Sequence, residues 1–148
     1  MTKLEIRNSK FAVPSRNTVG PVRDFTDLQV WQLARELRKL LYDLARGFPV
    51  AEKFVLTSQL RRAAISITAN IAEGFGRYSY QENIQFCRLA RGSVFEVRDR
   101  LTTAMDQQYI TPEQYARADA LVQRVVQTLN GYIRSTKARQ SERSSTPG

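Results

Sequence analysis

One stretch of the chain sets arginines beside an aromatic ring at helical spacing. Between positions 84 and 102, Ile84, Arg88, Arg91, Phe95, Arg98 and Thr102 fall on one side of a projection at about 100° per residue. Guanidinium forks suit phosphate oxygens and an aromatic plane suits base stacking. The same composition suits a packed subunit interface, where arginine and aromatics are enriched. A flank in the first amphipathic segment, Trp31, Arg35, Arg38 and Tyr42, repeats the theme and is also what half-buried packing at a core margin looks like. Cationic residues Arg61, Arg62 and Arg77 complete the set of candidate phosphate contacts.

A second pattern is polar. Ser58, Arg62, Ser66, Asn70 and Gly74 recur every four residues, with Thr68, Glu73, Gly76 and Arg77 close by. Serine and asparagine are indifferent helix formers, and a solvated face would more naturally use Lys, Glu, Gln or Arg. Such a stripe reads either as a polar network closed within one chain or as a seam between subunits in which Arg62 and Glu73 satisfy polar groups.

Catalytic chemistry has little to work with. The 148 residues contain no histidine, which removes the usual general base, the commonest metal ligand and any Ser-His or Cys-His nucleophile. No CxxC, HExxH or GxxxxGK[ST] appears, and Glu73 is a lone carboxylate without a partner acid. The expectation is a protein that is not an enzyme and needs no metal or cofactor. Cys87 cannot form an internal disulfide, which fits a reducing, cytoplasmic setting. Its place between the core and outer faces suggests a small half-buried hydrophobe. The absence of a long apolar run argues against a membrane partner.

The elements that must position these residues are helical. Periodic apolar stripes predict helices over about Asp27 to Gly47 (Leu33, Leu37, Leu40, Leu41, Leu44), Ala51 to Glu73 (Leu56, Leu60, Ala63, Ala64, Ile67, Ile71), Ser79 to Gln108 (Phe86, Leu89, Ala90, Val94, Val97, Leu101, Ala104) and Thr111 to about residue 137 (Tyr115, Ala118, Val122, Val125, Leu129, Ile133). Gly47 with Pro49 stops the first, and Gly74 with Gly76 breaks the second. Ser79 with Glu82 forms a capping box opening the third, and Thr111 with Pro112 opens the fourth. Four long helices joined by short loops predict an all-α, antiparallel up-down four-helix bundle over residues 25–137. Residues 1–24, with five basic side chains against two carboxylates, read as a flexible basic arm, and residues 138–148 as a disordered tail.

The net charge is +9, with 23 Lys plus Arg against 14 Asp plus Glu. A basic domain this small points to a polyanionic partner, structured RNA or DNA, met by charge and shape. No helix-turn-helix, RRM, KH or zinc-finger pattern offers base readout. A protein partner, with the basic surface serving orientation and on-rate, is the alternative.

The runs FTDLQVWQLARELRKLLYDLARGFP (Phe25 to Pro49), LTSQLRRAAISITANIAEGFGRYS (Leu56 to Ser79) and LNGYIRS (Leu129 to Ser135) carry a family resemblance. Over about Phe25 to Lys137 the chain resembles the four-helix bundle proteins encoded in intervening sequences of 23S ribosomal RNA genes. More distantly, it is similar to the accessory proteins of reverse transcriptases in diversity-generating retroelements. The resemblance implies a bundle that assembles as a homopentamer, a ring with a basic surface, acting as accessory or scaffold. Ser58, Arg61, Arg62, Ser66, Asn70, Glu73, Gly74, Gly76 and Arg77 match the family's signature segment.

Overall fold

The computed structural model of the protein describes residues 20–147. Most of the basic arm, residues 1–19, lies outside them. Four helices dominate: α1 (Gln29–Ala45), α2 (Leu56–Phe75), α3 (Tyr80–Asp106) and α4 (Pro112–Ser145), with 3-10 turns at Phe25–Asp27 and Val50–Glu52. No strand occurs among the described residues.

Each helix packs against its neighbours in sequence, and α1 closes on α4, with no diagonal contact. The cross-helix pairings give the directions. Arg38 meets Thr68 while Tyr42 meets Arg61, so α1 and α2 run opposite ways. Gly74 lies against Asn83 and Ser66 against Ser93, which makes α2 and α3 antiparallel. Asn83–Tyr132, Arg91–Asn130 and Arg98–Asp119 do the same for α3 and α4. The result is the up-down bundle that the stripes predict. Its core contains Leu37 and Leu41 from α1, Leu60, Ile67 and Ile71 from α2, Val94, Val97 and Leu101 from α3, and Val122, Val125 and Leu129 from α4. Each such side chain removed from water contributes about 1.5–3 kcal/mol.

Local chemistry sets the helix ends. The Ser79 hydroxyl accepts from the Glu82 N–H, and Thr111 and Gln114 form a reciprocal capping box with Pro112 at the first helical position. The Glu52 carboxylate accepts from the Leu56 N–H at the start of α2 and from the Tyr109 hydroxyl, tying two loops at one end of the bundle. Backbone N–H groups of Arg23 and Asp24 bond the Asp27 carboxylate and hold its pKa below the ordinary value.

Several boundaries and faces differ from the sequence-based expectation. Helix α2 begins at Leu56 rather than near Ala51, because a 3-10 helix and a hydrogen-bonded turn occupy the intervening residues. Gly74 does not break α2; it sits within the helix, which runs on to Phe75. Helix α4 continues through Ser145, so residues 138–145 are helical rather than a disordered tail. Extending an existing helix adds one hydrogen bond per residue without a new nucleus, and Arg143 lies over the Tyr80 ring at 5.3 Å. That extension covers α3: Ile84, expected on the outer face, is buried at 5% exposure, while Leu89, expected in the core, is half exposed. Cys87 is buried, not half-buried.

Candidate nucleic-acid interface

The cationic residues singled out from sequence do not form one surface. On α3, Arg91 and Arg98 turn toward α4. The Arg91 guanidinium donates to the Asn130 side-chain oxygen at 2.8 Å. Arg98 Nε lies 3.0 Å from a carboxylate oxygen of Asp119, close enough for an ion pair but not aligned as a hydrogen bond. Both cations are tied into the α3–α4 seam. Phe95 stays half exposed on the same side, and Arg88 lies one turn closer to the α3 N-terminus, without an ion pair or hydrogen bond among the described residues.

The α1–α2 arginines are similarly occupied. Arg38 donates to the Thr68 hydroxyl at 2.8 Å. Arg35 stands over the Trp31 ring at 5.8 Å and Arg61 over the Tyr42 ring at 5.3 Å, with Arg61 Nε buried and lacking an acceptor. Arg77 stacks on Phe86 at 4.7 Å and pairs with Glu73 at 2.7 Å. Glu73 therefore serves Arg77, not Arg62, and Arg62 is exposed on the outside of α2.

The serine and asparagine stripe resolves into a network inside one chain. Asn70 Nδ2 donates to the Ser66 carbonyl at 2.8 Å and to the Ser66 hydroxyl at 3.0 Å, and that hydroxyl shares a 2.8 Å hydrogen bond with Ser93 of α3. Gly74 extends the seam by close approach: a Cβ there would fall 2.8 Å from Phe86 Cβ and 2.9 Å from Asn83 Oδ1. Asn83 donates to the Tyr132 hydroxyl at 3.0 Å and accepts a weak bond from the Cys87 thiol. Burial pushes the Cys87 pKa up to about 11 and raises that of Tyr132. A thiol so disfavoured as thiolate is not a nucleophile. Gly76 has room for a methyl, and Ser58 is partly buried at the stripe's far end.

Shallow grooves follow the seams. Between α1 and α2, Arg38, Lys39 and Arg46 stand beside Tyr42, but Asp43 is there too and pairs with Arg46. Between α1 and α4, Glu36 and Asp43 accompany Arg117 and Arg124, and nearer the α1 N-terminus a groove has the single cation Arg139. Between α3 and α4, a groove of about 460 Å³ holds Arg88 and Lys137 among glutamines. Sequence reasoning missed its α4 wall because helix was not carried past residue 137; the four-residue step from Lys137 to Ser141 is the signal that would have found it.

Among the described residues no group of three His, Cys, Asp or Glu could hold a metal ion, and no helix is long and apolar enough to cross a membrane. The family model for the 23S rRNA-intervening sequence protein matches residues 26–131. The chain belongs to that family. A crystal structure of a protein of unknown function from the S23 ribosomal protein family from Bacteroides thetaiotaomicron is also similar, with a TM-score of 0.65 and 26% identity. The match covers 70% of this chain and 97% of that one. No curated protein matches. For this intervening-sequence family member, α4 beyond Gly131 lies outside the family match, so the α4 wall of the Arg88 groove is not part of what the family model describes.

Proposed function

We propose that this member of the 23S rRNA-intervening sequence protein family is a non-enzymatic, basic, cytoplasmic bundle that assembles as a homo-oligomer, a pentamer, and binds structured RNA or DNA as an accessory or scaffold. The observation that carries this reading is the +9 charge on a small domain, with Arg62, Arg88 and Lys137 outside every ion pair and hydrogen bond among the described residues. Repeating that charge around a ring raises the potential a polyanion meets and the number of counterions released on binding. Half-exposed Ile65 on α2 and Leu89 on α3 support assembly, since an interface core would take such residues out of water.

A protein partner is the second reading. At the α1–α2 connection, Phe54 is 84% exposed and Val50 is similarly bare, an apolar tip suited to a polypeptide such as a polymerase.

Light-scattering mass of the purified protein, repeated with a structured RNA at low and high salt, tests both. A ring-sized particle that takes up RNA at low salt and releases it at high salt fits the first reading. A ring that ignores RNA throughout shifts the function to the apolar tip, and a monomer removes the assembly.

A further inference from the structure

Resting on the nucleic-acid reading above, we infer that the groove between the N-terminal part of α3 and the C-terminal extension of α4 is the site that takes an RNA strand, along its sugar–phosphate backbone. Gln81, Gln85 and Arg88 stand on successive turns of α3 and face Lys137, Gln140 and Ser141 of α4. Buried Ile84 forms part of the floor.

Three features fit this groove to an anionic strand, and unlike the carboxylate-free groove that holds the single cation Arg139 it sets a cation on each wall. None of its lining residues is a carboxylate, so no internal anion competes for its cations. Arg88 and Lys137 have no ion pair or hydrogen bond among the described residues, whereas Arg91 and Arg98 on the same helix are held by Asn130 and Asp119. A guanidinium and an ammonium left solvated on facing walls form two positive points an anionic strand can bridge.

The third feature selects RNA. Phosphates need donors only, yet Gln81, Gln85, Gln140 and Ser141 also carry acceptor oxygens. A ribose 2′-hydroxyl donates to such an oxygen, and deoxyribose has nothing to offer it. From Gln81 to Arg88 the helix rises about 10 Å, the reach of roughly three nucleotides of a helical strand. The α4 wall exists because the helix runs on to Ser145.

The test uses the full chain and a fluorescein-labelled RNA hairpin, with a DNA hairpin of the same sequence, measured by anisotropy across a salt series. The double variant Arg88→Gln with Lys137→Gln is compared with Arg117→Gln with Arg124→Gln, which removes the same charge from the α1–α4 face. The groove variant should bind RNA at least tenfold more weakly at low salt, with a salt slope shallower by about one per lost cation, while the control stays within twofold of the parent. Ser141→Glu, which puts a carboxylate in the groove without touching the core, should reproduce the loss with circular dichroism unchanged. Equal losses in both double variants would show diffuse attraction to net charge and overturn the groove while leaving nucleic-acid binding in place. DNA bound as tightly as RNA and weakened equally would overturn the choice of RNA. A parent protein that binds neither hairpin at low salt would overturn the nucleic-acid reading and the groove together.

Discussion

The Arg91 guanidinium donates to the side-chain oxygen of Asn130 at 2.8 Å, joining α3 to α4 midway along the bundle. Its neighbour two turns on, Arg98, is paired with Asp119 at 3.0 Å. Two arginines that look like phosphate ligands in a helical projection are thereby committed to the fold.

Replacing Arg91 with Gln should cost stability rather than RNA affinity. Losing a charge-assisted, part-buried hydrogen bond costs about 1–2 kcal/mol, readable as a lower urea midpoint at unchanged slope. The salt dependence of RNA binding should stay that of the parent. An unchanged midpoint with a flattened salt slope would place Arg91 on the binding surface instead.

The two glycines at the C-terminal end of α2 should respond differently to the same methyl. Gly74→Ala drives a Cβ to 2.8 Å from Phe86 Cβ and 3.1 Å from the Asn83 carbonyl, so α2 and α3 must part, at a cost of about 1–3 kcal/mol. Gly76→Ala meets nothing closer than 3.6 Å at a right-handed backbone position and should shift stability by less than about 0.5 kcal/mol. Thermal melts of the pair decide it; equal destabilisation would show that close approach is not what Gly74 provides.

Gln108 closes α3 in the left-handed region, at φ 60°, with the Tyr109 N–H bonded back to the Ala104 carbonyl and its own N–H to that of Met105. A side chain there costs about 1–2 kcal/mol that glycine does not incur. Gln108→Gly should therefore raise stability by about 1 kcal/mol after the extra freedom of the unfolded chain is counted, read as a higher urea midpoint. A lower midpoint would mean that the Gln108 side chain contributes more than its backbone costs.

Alkaline pH should loosen the fold. The Cys87 pKa stands at about 11 in the folded chain against an ordinary 9.0, and burial also raises Tyr132. A raised acid pKa means that the folded state holds its proton more tightly than the unfolded state. This contribution is complete below about pH 9 and is lost as pH climbs toward 11. Cys87→Ala should flatten part of that decline in urea titrations, and the native thiol should resist a thiol reagent at pH 8 until denaturant is added. Rapid native labelling would show an accessible, ionisable cysteine.

Much of the fold is legible in the sequence. Leu33, Leu37, Leu41 and Leu44 recur at helical spacing and are all buried, and the Ser79 cap, without the full box expected with Glu82, and the Thr111 box begin helices where their residue types say they should. The candidate site is less legible. Trp31 and Arg35, or Glu73 and Arg77, lie four apart on one helix and their pairing could be read from spacing. Arg91 with Asn130 and Ser66 with Ser93 are 39 and 27 residues apart, and no local rule joins them.

By itself, the sequence determined four helices, their order, the N-caps of α3 and α4 and a basic, histidine-free chain, because periodicity and capping act over three or four residues and charge needs no geometry. Only tertiary structure decided which cations remain open to a ligand. Side chains on α3 point toward whichever neighbour packs there: Leu89 is left half exposed, while Ile84, which shares a groove with Gln140 and Ser141 of the long α4, is buried. That same reach sets Lys137 opposite Arg88, a juxtaposition of residues 49 positions apart that exists only once two helices have packed.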